Sequence, residues 1–167
     1  MNYKTRDILH NSLLNGGLLD IMNLFNLTHV GIIHNKAIDY INSTFPGLLD
    51  KVEYTLVDKI GTVVLDKTEE HVDSEFRVLG AYCPESRTIF LCRRSTLKAA
   101  IHELGHAVHH QLLNYKFFNI SAEGKSERAE YNFKEDFAEA FAELVLREGD
   151  NELTKRDIEI KKILHEV

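Results

Sequence analysis

In "AAIHELGHAVHH", residues 99–110, four histidines and one glutamate fall within nine positions. His102 and His106 are four residues apart, so on a helix both imidazoles project from one face. Glu103 stands next to His102 in sequence and about 100° further round a 3.6-residue turn. His-Glu-x-x-His is the spacing at which two imidazoles bind one zinc ion and the glutamate lies beside the bound water. Zinc lowers the pKa of that water to about 7, which makes hydroxide available at neutral pH. With 9 His and 16 Glu in 167 residues, the spacing arises by chance in roughly one chain in twenty. Its placement, mid-helix and directly after a strand, is the stronger argument.

The flanking histidines do not extend the motif. The longer His-Glu-x-x-His-x-x-Gly-x-x-His pattern requires glycine and histidine where this chain has His109 and Leu112. One straight helix does not wrap three ligands around a tetrahedral ion. His109 is therefore expected beside the site, facing substrate or solvent, and His110 as a bystander.

A catalytic zinc site needs a third protein ligand and an open fourth position. The source is "EDFAEAFAE", residues 135–143, in which Glu135, Glu139 and Glu143 form one acidic stripe. Like charges four apart destabilise an isolated helix by roughly 0.2–0.5 kcal/mol per pair, and a nearby cation would offset that. Phe137, Phe141, Leu144 and Val145 can pack this helix on the histidine helix, and Ala138, Ala140 and Ala142 would let it approach closely. Two plainer readings compete: a solvated charged face, and a capping box formed by Asn132 and Glu135. Beside the histidine helix, a site of two histidines and one glutamate explains the stripe better. Glu135 ranks first as ligand and Glu139 is its rival.

Around these residues the chain reads as one α+β domain, residues 1–167, with its core at about 28–148. Two short amphipathic helices are expected within 5–27 and a third over 35–43, ended by "STFPG". Val52, Tyr54 and Leu56 alternate as in a half-buried strand, and "TVVL" (62–65) is a second candidate. "FRVLGAY" and "TIFLC" are two more strands, joined by the turn "CPESR". Ser95 or Thr96 caps the histidine helix, whose apolar face carries Leu97, Ile101, Leu104, Val108 and Leu112. Residues 114–131 read as a connecting loop. The glutamate helix runs from about Phe133 to Glu148 and stops at Gly149. Thr154-x-x-Asp157 opens a last helix over 154–166, with Leu153 and Ile158 as a staple.

The hydrophobic share of 44% and charged share of 28% are those of an ordinary globular domain. A net charge of -6 argues against nucleic acid as a partner. Arg93, Arg94 and Lys98 form one small basic cluster, read as solvated surface. No apolar run follows a basic start in the first 30 residues, and no stretch reaches 18 apolar residues. Neither a secretory signal nor a membrane span is therefore expected. Cys83 and Cys92 are read as free thiols of a cytoplasmic protein, with export by another route left open.

"HELGH" followed 29 residues later by "EDFAEAFAE" resembles the gluzincin metallopeptidases. "IHELGHAVHH" paired with "EDFAEAF" is most similar to the lethal factor catalytic domain and the Pro-Pro endopeptidase family, over about residues 78–147. The resemblance implies a zincin-like fold, with a small mixed sheet, an active-site helix and a glutamate-bearing helix. It implies one zinc per chain held by His102, His106 and Glu135, with Glu139 accepting a hydrogen bond from a ligand histidine. It further implies a metalloendopeptidase in which Glu103 is the general base of a zinc-activated water; "RTIFLC", if it is the exposed edge beside the cleft, would pair with an extended peptide. In that family a tyrosine seven residues before the ligand glutamate stabilises the oxyanion. This chain has Arg128 there, which leaves Tyr131 or Arg128 itself for the role. The alternatives are a binding or regulatory protein on the same fold without peptidase activity, and a zinc hydrolase of non-peptide amides.

Overall fold

The computed structural model describes residues 28–59, 79–147 and 152–167. The helices expected within 5–27, the "TVVL" strand and the end of the glutamate helix at Gly149 lie outside these residues. The described chain is α+β, with five α-helices and a three-stranded mixed sheet.

Helix α1 (His29–Thr44) begins six residues earlier than its apolar period announces. Its first turns hold Val30, Gly31, Ile32 and Ile33, residues of weak helix propensity. The Thr28 side chain offsets this by accepting a hydrogen bond from Gly31 N at 3.0 Å. Val30, Ala37 and Ile41 are buried and fix the face turned to the core. A 3₁₀ turn (Leu49–Lys51) leads into β1 (Thr55–Lys59), so the strand starts later than the Val52–Leu56 alternation indicates.

β2 (Gly80–Cys83) and β3 (Thr88–Cys92) form an antiparallel hairpin across the expected "CPESR" turn. β1 pairs with β3 in parallel, Thr55 opposite Thr88 and Lys59 opposite Cys92, which gives the order β1-β3-β2. The "TIFLC" strand is therefore the middle strand and not an edge. Its buried Ile89 and Leu91 report that interior position. Both cysteines are free thiols.

Helix α2 (Leu97–Gln111) carries the histidines. Thr96 is its cap, accepting from Ala99 N at 3.1 Å. Ser95 instead ties the helix entrance to the sheet: its hydroxyl accepts from Cys92 N at 2.8 Å and donates to Leu79 O. After α2, Asn114 and Tyr115 take left-handed backbone, φ 47° and 53°, and Tyr115 N returns to His109 O at 2.9 Å.

The segment read as a loop contains a short helix, α3 (Glu127–Tyr131), capped by Ser126. It leads into α4 (Phe133–Arg147), the glutamate helix. The competing reading, a capping box of Asn132 with Glu135, does not form: the Asn132 side chain accepts from Lys134 N at 3.0 Å, and Glu135 meets His102, His106 and Arg128. Helix α5 (Lys155–His165) has the full capping box, Asp157 N to Thr154 Oγ1 at 3.2 Å and Thr154 N to Asp157 Oδ2 at 2.8 Å. Leu153 and Ile158, expected to staple it, are both exposed.

α2 and α4 pack directly on one another. A Cβ on Gly105 would stand 2.9 Å from Phe141 Cδ1 and 3.3 Å from the Ala138 Cα, so the glycine of "HELGH" sets how near the helices come. Ala138, Ala140 and Ala142 are fully buried. Ile41, Ile89, Ile101, Leu104, Phe141 and Ile160 join α1, the sheet, α2, α4 and α5 in one apolar cluster. Each such side chain contributes about 1.5–3 kcal/mol by leaving water.

Candidate metal centre

The close packing of α2 on α4 presents Glu135 to the histidine face. His102 Nε2 lies 3.3 Å from Glu135 Oε2, and His106 Nε2 lies 3.3 Å from Glu135 Oε1. The two imidazoles meet edge to face, ring centres 4.7 Å apart. One donor atom from each of His102, His106 and Glu135 falls within 4.8 Å of the others. This group of two ring nitrogens and a buried carboxylate could hold a metal ion.

The electrostatics favour an ionised Glu135. Burial pushes its pKa up, but the His102 and His106 rings and the nearby Arg128 guanidinium outweigh burial. The net result is a carboxyl held well below its usual range. Arg128 Nη2 donates to Glu135 Oε1 at 3.0 Å from a side chain that is 65% exposed.

Glu103 behaves in the opposite way. It is buried at 7% exposure, and desolvation raises its pKa above the usual carboxylate range against the pull of His106 and His102. It also lies under the sheet: a Cβ on Gly80, the first residue of β2, would come within 2.9 Å of Glu103 Cγ. A buried carboxylate held next to the imidazoles is placed to exchange a proton with a group at the site.

Compared with protein families, curated proteins and solved structures, the chain matches none.

The other candidates fall outside the group. Among the described residues Glu139 meets no histidine: its carboxylate accepts from Ser126 N at 2.9 Å and from the Ser126 hydroxyl. It thereby anchors the start of α3. Tyr131 is 85% exposed, and among the described residues the guanidinium of Arg128 is the donor that reaches Glu135.

His109 is a core residue, contrary to its expected place beside substrate or solvent. It is fully buried, stacks on Phe137 at 4.2 Å between ring centres, and donates from Nε2 to Lys116 O at 2.8 Å. Desolvation lowers its pKa to about 4, so the ring is neutral at pH 7. His110 is hydrogen bonded through Nδ1 to the Tyr82 hydroxyl at 2.9 Å and lines a polar hollow with Glu53, Arg87 and Gln111.

One buried charged side chain was not singled out from the sequence. Arg156 of α5 is 1% exposed on its side chain and meets three acids of α4. Its Nη2 is 2.6 Å from Asp136 Oδ1 and 3.9 Å from Glu139 Oε1, and its Nε is 3.6 Å from Glu143 Oε2. It also donates to Asp136 O at 2.9 Å and to Ser121 O at 3.0 Å. The cation that offsets most of the acidic stripe is thus an arginine from another helix. A signal for it exists: Arg156 shares the helical face of the buried Ile160 and Leu164. The basic cluster Arg93, Arg94 and Lys98 is exposed as expected. Among the described residues no helix is long and apolar enough to cross a membrane.

Proposed function

We propose that this chain is a zinc-dependent metalloendopeptidase of gluzincin type, with a zincin-like arrangement of sheet and helices. Zinc is held by His102, His106 and Glu135, one ion per chain. The supporting observation is the spacing of the donors. Two ligands on a tetrahedral ion with bonds of about 2.0–2.1 Å stand roughly 3.3 Å apart; each imidazole is 3.3 Å from one of the two carboxylate oxygens, and one donor atom from each residue lies within 4.8 Å of the others. When bound there, zinc supplies a Lewis acid and a water acidified to a pKa of about 7.

The remaining work belongs to the chain's own residues. Glu103 accepts the proton of the attacking water and passes it to the leaving nitrogen of the scissile amide, a transfer suited to a carboxylate of raised pKa. A metal with a purely structural task would leave this buried carboxylate without a role. Glu135 stays ionised throughout, and Asp136, bound to Arg156, fixes the helix turn from which Glu135 projects. β3 is interior, so the strand for an extended substrate to join is β2, which lies against Glu103 through Gly80 and has β3 as its one strand partner among the described residues.

Cleavage of a diverse peptide library by wild type and Glu103→Gln, with zinc measured in both, tests this reading. The expected result is one zinc in each protein and a loss of cleavage of about 10²–10⁴-fold in the variant. Equal cleavage by the two removes the mechanism, and protein free of zinc at micromolar metal removes the site.

A further inference from the structure

We propose that Arg128 selects substrates that carry a carboxylate close to the scissile bond. The inference rests on the peptidase reading of the site and names its substrate class.

Among the described residues, Arg128 is the one cation in ion-pair contact with the His102–His106–Glu135 group. A single nitrogen, Nη2, is engaged with Glu135 Oε1 at 3.0 Å. The side chain is 65% exposed, so most of its donor edge faces outward at the rim of the site. A guanidinium has five N–H donors in a rigid fork, carries its charge at every physiological pH, and matches a carboxylate with two parallel hydrogen bonds. A neutral peptide carbonyl uses one of those donors; a carboxylate uses two.

Tyr131, three residues on, is 85% exposed, so this end of α3 faces solvent. The contact is made with bound substrate before any bond changes, so its loss raises KM more than it lowers kcat.

Two sources of carboxylate share this chemistry, an acidic side chain and a chain-terminal carboxyl. Short peptidyl hydroxamates distinguish them, because the hydroxamate binds the metal whether or not cleavage occurs. One pair differs only in Glu against Gln, placed in turn on each side of the hydroxamate. A second pair differs only in a free against an amidated terminus. Each is titrated calorimetrically into the zinc-loaded 167-residue chain, wild type and Arg128→Gln.

The expected result is that one acid probe binds wild type about five- to tenfold more tightly than its amide, a preference absent from Arg128→Gln. The pair that shows it identifies the source. Equal affinity of acid and amide for wild type overturns the proposal, as does a preference that survives in Arg128→Gln. An arginine that merely braced Glu135 would weaken every probe alike and leave the ratio untouched. Failure of all the hydroxamates to bind zinc-loaded protein removes the metal-site reading itself and this proposal with it.

Discussion

The acidic stripe of α4 divides into two regions with the same residue type and opposite partners. At its start, Glu135 faces two imidazoles and an exposed guanidinium. Beyond it, Asp136, Glu139 and Glu143 surround the buried Arg156. The second region has its counter-charge covalently built in, and its geometry is complete within the protein. The first has one fixed cation, the exposed Arg128 on a single carboxylate oxygen, and two rings that are bases, a group that could also hold an ion. An i, i+4 run of glutamates is thus one pattern in sequence and two environments in space, separated by what the neighbouring helix supplies.

The largest test of that contrast is Arg156→Met. It leaves buried Asp136 with Lys125, 2.7 Å away, as its remaining counter-charge. The expected loss is about 3 kcal/mol of folding stability by urea denaturation; a loss below about 1 kcal/mol would show the two regions to be equally dispensable to the fold.

Next comes Glu135→Ala, which should lower zinc affinity by about 100-fold or more in competition with a chromophoric chelator. Glu139→Ala is the companion variant and carries the smallest effect, about 1 kcal/mol of stability from the lost Ser126 bonds, with zinc affinity nearly unchanged. If the Glu139 variant lost the metal and the Glu135 variant kept it, the assignment of the stripe would reverse.

Between these lies a pH effect from the other side of α2. The folded-state pKa of His109 is about 4 against 6.5 for a free ring. Between those values the unfolded chain binds a proton that the folded chain refuses. Stability is therefore complete above pH 6.5, declines as pH falls below it, and has lost the whole contribution once pH passes through about 4. The expected loss from His109 is about 2 kcal/mol between pH 7.5 and pH 5. His109→Gln should flatten the curve by that amount, and parallel curves for the two proteins would refute the assignment.

What was legible in the sequence was local. The His102–His106 spacing, the Thr96 cap, the Thr154–Asp157 box and the hairpin turn depend on neighbours within about five residues, and each stands where the pattern put it. What was illegible was pairing at a distance. β3 sits in the middle because β1 joins it in parallel from 33 residues away, Thr55 to Thr88, and no alternation within "TIFLC" encodes that. Helix α3 has five residues, too few to show a period, though Ser126 capping Ala129 N was a usable sign. The burial of His109 depends on Phe137 from α4 and on the chain reversal at Asn114 and Tyr115. Glu135 and Glu139 were equivalent by spacing, and only Ser126 and the two imidazoles distinguish them.

Gly105, wedged against Phe141 and Ala138, has a consequence for the order in which the molecule comes together. His106, the second of the imidazoles, is made on the ribosome 29 residues before the carboxylate, and both imidazoles lie on one helix. Until α4 docks across that glycine, an ion at the proposed site would have two ligands and a weak hold. Full affinity would arrive only with the native contact, so the ion would favour the folded chain by mass action. Occupancy should then fall in one step with the tertiary structure, which would make the bound ion a reporter of whether the two helices have met.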